Sequence, residues 1–276
     1  SASYFTKATA GFKASAVEEV AGRGLKSAQP DSLVVWTLDK KSLPGAELRN
    51  RIIDRRPDLV LAVGQAALLE MTRLQRIPVV YLLARDGARL AAGHAKITGI
   101  EMTIPPARQL AMIAEALPAV KRVGVIHSQA GSNDFVREAA SFAALRGLEL
   151  LSEEAKNPRQ IPGLLAGMAG RVDAFWMLPD PAVTTASTLE AMLHFSVDNQ
   201  IPLLAFADKY LELGAVMALS FDVYEMGVQA GRLARRVAAA PHKIPASEPP
   251  ARINLQLNSK VAARMGVMVN TAAVDN

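Results

Sequence analysis

The sequence predicts an α/β fold made of two similar doubly wound parallel-sheet lobes joined by a hinge. Three observations carry this expectation. Short apolar runs rich in Val, Ile and Leu show little polar alternation, which is how strands buried on both faces read. Helix-length segments separate these runs, as crossover helices separate the strands of a parallel sheet. The same phrases also return about 120 residues further along the chain.

Residues 7–22 read as the first helix and 33–38 as the first strand. Helix 46–55 leads through Arg56, Pro57 and Asp58 into strand 59–63. Helix 66–74 then leads through Ile77-Pro78 into strand 79–83. A linking stretch at 97–106 makes the first crossover. Strand 122–127 and helices 133–146 and 161–170 open the second half. Here Arg171-Val172-Asp173 enters strand 174–178 as Asp58 enters its own. Helix 182–199 leads through Ile201-Pro202 into strand 203–206, echoing the first half. Proline suits that entry, because its missing N–H is tolerated at the first residue of a strand. Strand 215–220, amphipathic helix 224–239, a Pro-rich connection at 241–250, a half-buried edge strand at 252–257 and helix 259–265 close the chain. The first lobe is placed at 1–100 plus 219–240, the second at 101–218 plus 241–276.

Composition narrows the function. A chain of 276 residues is long enough for about two domains. With 50% hydrophobic and 21% charged residues it is not a disordered chain. The net charge of +5 is mild and its basic residues are scattered, so it reads as solubility, with no nucleic-acid partner expected. Cysteine is absent, which excludes disulfides, thiolate metal sites and a cysteine nucleophile. Four histidines and scattered acids offer no metal-ligand spacing, so neither metal nor cofactor is expected. Gly22-Arg23-Gly24 ends a helix instead of following a strand, and no phosphate loop or nucleophile elbow occurs. No apolar run is long enough to span a bilayer. The start Ser1-Ala2-Ser3 reads as a processed end, with any signal segment or lipid anchor outside this sequence.

In open parallel sheets, ligands sit beyond the carboxyl ends of the strands. That rule selects Gly64, Gln65 and Ala66 after the second strand, and Ala84 and Arg85 after the third. It selects His127, Ser128 and Asn133 at the end of the fourth, Pro179 and Asp180 after the fifth, and Phe206 and Asp208 after the sixth. Each also has a plainer reading. Ser132 or Asn133 can cap a helix, and Asp208 can pair with Lys209 at a surface turn. His127 can be a ligand contact, a satisfied polar group or, with Asp180, an acid–base pair. Phe175 and Trp176, in mid-strand, read as core.

Several phrases resemble a known family. They are Asp58-Leu59-Val60-Leu61-Ala62-Val63-Gly64, Thr98-Gly99-Ile100, Lys121-Arg122-Val123-Gly124-Val125-Ile126, Tyr224-Glu225-Met226-Gly227-Val228-Gln229-Ala230-Gly231 and Ile253-Asn254-Leu255. The chain resembles the substrate-binding proteins of ABC transporters, in the type I periplasmic class and the branch that binds aromatic amino acids. The resemblance implies a periplasmic or other extracytoplasmic binder, not an enzyme. It would take a small ligand, an amino acid (aromatic or aliphatic) or similar, into a cleft whose closure an ABC permease reads as loaded. Membrane association would come only through the transporter or an anchor. Lobes of this family begin with a strand before the first helix, for which Ser1–Thr6 leaves no room. Ser3-Tyr4-Phe5 would then be the loop before that helix, with Tyr4 or Phe5 walling the pocket. Gly64-Gln65 also stands where the family carries a hydroxyl, and His127-Ser128-Gln129-Ala130 replaces its Asn-Pro-Ser turn. The alternatives are a ligand-sensing effector domain of a regulator and an enzyme on the same sheet.

Overall fold

The computed structural model describes residues 2–18, 34–36, 38 and 45–273. In chain order its elements are α1 (Ala2–Glu18), α2 (Gly45–Arg55), β1 (Val60–Val63), α3 (Gln65–Met71), β2 (Val79–Leu82), α4 (Gly87–Ala91) and β3 (Ile97–Gly99). Then come α5 (Pro106–Ala116), β4 (Arg122–His127), α6 (Asn133–Ala143), β5 (Glu149–Glu154), α7 (Ile161–Met168), β6 (Ala174–Trp176) and α8 (Ala186–Asn199). The chain continues with β7 (Leu203–Ala205), α9 (Lys209–Glu212), β8 (Met217–Phe221), α10 (Val223–Ala239), β9 (Ile253–Leu257) and α11 (Ser259–Arg264).

Two compact units result: Ser1–Ile104 with Phe221–Arg252, and Pro105–Ser220 with Ile253–Asn276. The division read from sequence had put 241–252 in the second lobe. Backbone pairing draws this stretch into the first unit instead: Glu248 N–H donates to the Gly99 carbonyl (2.9 Å), and Glu101 N–H to the Glu248 carbonyl (2.8 Å).

The first unit holds a parallel sheet in the order β1-β2-β3. One face carries Val80, Leu82 and Ile100 against α1 and α10, with Ala8, Phe12, Met226 and Leu233 buried. The other carries Ala62, Val79, Tyr81 and Ile97 against α2 and α3, with Leu48, Ile52, Leu68 and Met71 buried. The α1–α10 crossing is unusually close. A Cβ on Gly11 would stand 2.0 Å from the Tyr224 carbonyl oxygen, and one on Gly227 would stand 2.0 Å from that of Ala8. Asp222 starts α10 by accepting from the N–H groups of Tyr224 (2.7 Å) and Glu225 (3.2 Å).

The second unit holds six strands in the order β5-β4-β6-β7-β8-β9. Gly124, Ile126, Phe175, Met177 and Leu203 face α7 and α8, where Ile161, Leu165, Met168 and Phe195 are buried. By strand alternation Val123, Val125 and His127 face the opposite layer, where α5 and α6 pack on each other. Asp173 fastens the start of this sheet. Its carboxylate accepts from the backbone N–H groups of Lys121 (3.0 Å) and Arg122 (2.7 Å), and from the Arg122 guanidinium (2.6 Å). Burial alone would raise the Asp173 carboxyl, but these bonds and the Arg122 charge outweigh it and hold the group below its ordinary value.

Several expectations change. The strand expected at 33–38 is absent among its described residues, because 34–36 and 38 have no ladder beside them; Leu33 and Thr37 lie outside the described residues. The stretch 97–106 is not wholly a crossover, since β3 pairs with β2 along Ile97–Gly99. Strand β5 was not anticipated. Its sequence, Glu149-Leu150-Leu151-Ser152-Glu153-Glu154, is polar because an edge strand keeps much of its surface in water. Tyr4 and Phe5 lie in the first turns of α1 and not in a loop. No proline stops the helix there, and Gly11, which would ordinarily weaken it, is where α10 comes closest.

Two predictions follow from this packing. Gly227→Ala should separate α1 from α10 and lower stability by about 2–4 kcal/mol in urea unfolding. Asp173→Asn should lower stability at neutral pH by about 1–2 kcal/mol. Because the folded carboxyl titrates below its unfolded value, its contribution is present at neutral pH and disappears as pH falls through the folded value. The difference between variant and parent should therefore close below about pH 4.

Candidate functional site

In the second unit, β4 and β6 end side by side, and the loops that leave them are joined by one carboxylate. Asp180 is 1% exposed. It accepts from Ser128 N–H (2.8 Å), from the Ser128 hydroxyl (2.9 Å to Oδ2), from the Ser132 hydroxyl (2.9 Å) and from Ala182 N–H (3.0 Å). Ser128 Oγ in turn accepts from Gly131 N–H at 3.0 Å. A Cβ on Gly131 would stand 2.5 Å from Asp180 Oδ1, so the turn lies directly over the carboxylate. The Asp180 carbonyl accepts from Val183 (3.0 Å) and Thr184 (2.7 Å) N–H groups. Both faces of the carboxylate are therefore engaged by the protein itself. Burying an unpaired carboxylate would be prohibitive, and this ring of donors is what permits it.

The expectations for this region divide accordingly. His127, Ser128, Pro179 and Asp180 come together as expected at the strand ends. Asp180 is spent on holding the two loops, and Ser132 spends its hydroxyl on Asp180 instead of capping α6. His127 is 7% exposed and its Nδ1 is buried without a hydrogen-bond partner. The side chain of Asn133, half-buried in the first turn of α6, makes no hydrogen bond among the described residues. Both lie on the α6 side of the sheet. Trp176 is buried at 2% exposure, as expected for core, with the Phe135 ring 5.5 Å away.

The Asp208 loop is built differently from its plainer reading. Asp208 accepts from the Ser220 hydroxyl (2.6 Å), and Lys209 sits 4.9 Å over the Tyr210 ring instead of pairing with the acid. Phe206 meets Tyr210 edge to face at 5.0 Å.

In the first unit, Gly64 ends β1 with φ of +92°, a conformation that other residues rarely adopt. The Phe5 ring lies over it, 2.9 Å from where a Cβ would stand. Gln65 opens α3 and donates to Asp86 at 3.4 Å, and Asp86 also receives Arg89 at 3.2 Å. Ala84 is buried, while Arg85 is exposed and makes no ion pair among the described residues. Phe5, Gly64, Gln65 and Ala66 line one end of a cavity of about 800 Å³; Tyr4, Ala84 and Arg85 do not. The strand-end rule also reaches Asp86 and Ser132, but it does not show that they engage Gln65 and Asp180. The serines four residues apart, Ser128 and Ser132 around Gly131, were the available signal for the second. Among the described residues no group of three or more acids and histidines gathers to hold a metal, and no helix is long and apolar enough to cross a membrane.

Residues 32–275 match a family described as ABC transporter substrate binding protein. A tyrosine-binding protein of Clostridioides difficile (strain R20291) is 19% identical over 199 residues; the match takes in 69% of this chain and 57% of that protein. A solved ABC domain in complex with L-Trp, from Streptococcus pneumonia, superposes with a TM-score of 0.62 at 20% identity, covering 99% of this chain and 93% of that one. The ligand-free, open structure of a substrate binding protein with adhesive properties, from Clostridium difficile, gives a TM-score of 0.73 at 14% identity, covering 96% and 92%. These superpositions show a type I periplasmic binding fold.

Removing one oxygen from the Asp180 ring tests its role. Asp180→Asn places an amide against donors and should lower stability by about 2–4 kcal/mol in urea unfolding. Ser132→Ala, which removes one donor of several, should cost about 1 kcal/mol.

Proposed function

The chain belongs to the family of ABC transporter substrate-binding proteins, and from that premise we propose that it captures a free amino acid and presents it to an ABC permease. The family binds solutes outside the cytoplasm and is not one of enzymes, so no bond is made or broken. The amino-acid class is supported by the relatives, one named for tyrosine and one solved with L-Trp. In the chain itself one observation carries the reading. Among the described residues of the second unit, the side-chain polar groups without a partner at the end of β4 are a buried imidazole nitrogen on His127 and the Asn133 amide.

An amino acid has complementary groups for each. Its carboxylate suits the N–H groups at the start of α6, and its ammonium suits the Asn133 side-chain carbonyl or the His127 Nδ1. Aromatic side chains near these loops, Phe206 and Phe135, offer stacking for an aromatic ligand and apolar cover for an aliphatic one. Ligand shifts the population toward the closed conformation that it binds better, and the permease reads that conformation as loaded. Residence in the periplasm, and a lipid anchor outside this sequence, complete the proposal.

Thermal melts against the twenty amino acids test it. One or a few, with Trp, Tyr and Leu the first arms, should raise Tm by several degrees at concentrations of about 100 Kd, where binding adds about 2.7 kcal/mol. His127→Ala should weaken the same ligand about tenfold while leaving the ligand-free Tm near that of the parent. A panel in which no amino acid stabilises the protein overturns the reading.

A further inference from the structure

A buried tyrosine joins two of the passages by which the chain moves between its units. The chain passes after Ile104, after Ser220 and after Arg252. The first and last of these leave the first unit side by side. Glu248 bridges in parallel to Ile100; its N–H donates to the Gly99 carbonyl (2.9 Å), and its carbonyl accepts from Glu101 N–H (2.8 Å). We propose that Tyr81 is a positioning residue for ligand capture: its hydroxyl locks these two passages to each other, so that both turn together when the units move. The inference rests on the transport reading for its function and on the first unit alone for its geometry.

The register explains how a tyrosine does this from the middle of the sheet. Tyr81 stands opposite Gly99 on β3, and the Ile100–Glu248 bridge brings Ser247 opposite Gly99 on the far side. Residues in register point to the same face of a sheet, and so do residues two apart. Tyr81, Gly99, Ser247 and Glu101 therefore share one face. Gly99 has no side chain, and a Cβ there would stand 2.3 Å from Tyr81 Cγ, so the ring lies across β3 at this point. Gly87, at the start of α4, bounds the ring on another side, where a Cβ would stand 2.2 Å from Cε2. Held between two glycines, the fully buried ring delivers its hydroxyl to the Glu101 carboxylate, to which it donates. The same oxygen also meets the Ser247 side chain. Burial, with Glu101 beside it, holds the phenol well above its ordinary value, so the donor keeps its proton.

The lock ties a short passage to one that is already held. On the last passage, Gln229 of α10 donates to the Pro249 carbonyl (3.0 Å) and accepts from Ala251 N–H (2.9 Å). The Glu248 carboxylate receives Gln229 (3.2 Å) and the Arg236 guanidinium. On the first passage only Met102, Thr103 and Ile104 separate Glu101 from Pro105, whose ring fixes φ at −55°. Among the described residues Tyr81 is the one side chain that holds Glu101. The passage after Ser220 is fastened separately on each side, Ser220 to Asp208 and Asp222 to the start of α10. Two passages kept in step exclude conformations that a ligand would otherwise have to remove, which favours affinity.

Amide hydrogen exchange and paired spin labels test the lock without ligand. Tyr81→Phe keeps the ring and removes the hydroxyl. Glu101 and Glu248 amides should then exchange at least about tenfold faster, with Val60 and Val79 unchanged. The chain has no cysteine, so labels go on Ala140→Cys in α6 and Ala238→Cys in α10, both exposed positions. The distribution of distances between them should be broader in Tyr81→Phe than in its parent. Glu101→Ala should reproduce both effects, and it keeps the test open if Tyr81→Phe does not fold. Glu101→Gln retains an acceptor for the phenol and should match the parent in both. Parent-like exchange or a parent-like width in Tyr81→Phe overturns the proposal, and so does Glu101→Gln behaving as Glu101→Ala. For the amino acid that stabilises the parent in thermal melts, Tyr81→Phe should lower affinity about threefold or more; equal affinity overturns the role in capture. A panel in which no amino acid binds overturns the transport reading alone, and exchange and width still decide the lock.

Discussion

A parallel strand can be buried only when both its edges find ladders and both its faces find helices. An unsatisfied backbone group in the interior costs about 1–3 kcal/mol, so edges weigh as much as apolar faces. In the second unit β4 meets the whole condition. It pairs with β5 and β6, packs Gly124 and Ile126 toward α7, and turns Val123 and Val125 toward the opposite layer. The remaining difficulty is where the strand begins, since Lys121 and Arg122 carry N–H groups that the ladder does not use. Asp173 accepts both and adds the Arg122 ion pair, so the lead-in of one strand is tied to that of its neighbour.

At the far end of β4 the same kind of constraint shapes the site. Asp180 is buried and makes no ion pair among the described residues, and stability requires that its lone pairs find donors. Ser128, Ser132 and Ala182 supply those donors and thereby hold the loops after β4 and β6 in one arrangement. An acid that looks like a ligand acceptor in the sequence is thus a fastening within the protein. Under the proposed function, recognition would fall to the side-chain groups left over among the described residues, His127 Nδ1 and the Asn133 amide. Preorganised polar groups lose little freedom on binding, which favours affinity for a small ligand.

The elements most legible in the sequence were those buried on both faces. Val79–Leu82 and Arg122–His127 read as strands because nothing in them is suited to water, and the Ile-Pro entries at 77–78 and 201–202 showed that the halves repeat. Edge elements were hidden for the same reason in reverse. Four of the six residues of Glu149–Glu154 are polar, so it carries the composition of a loop while making a full ladder with β4. The strand-end rule located His127, Ser128 and Asp180 correctly in space, because it depends only on topology. It did not divide them by role. That division depends on which side chains reach one another across 52 residues of sequence, as Ser128 and Asp180 do, and local pattern carries no record of such distances. The family resemblance puts Tyr4 and Phe5 in a loop before the first helix; the helix in fact begins at Ala2.

The repeated phrase shows how far sequence similarity determines a residue's work. Asp58 and Asp173 follow the same kind of helix end and enter the same kind of strand, yet among the described residues only Asp173 has partners. A carboxylate at a strand entrance can hold backbone N–H groups only if a neighbouring strand brings them there. Its depressed titration is therefore a property of the sheet and not of the phrase. The same holds for the open edge of β1. Leu61 and Val125 are alike in being apolar, mid-strand and in parallel register, but among the described residues Val125 has ladders on both sides and Leu61 on one. Pattern sets what each residue is able to do, and the strand beside it decides whether it does so.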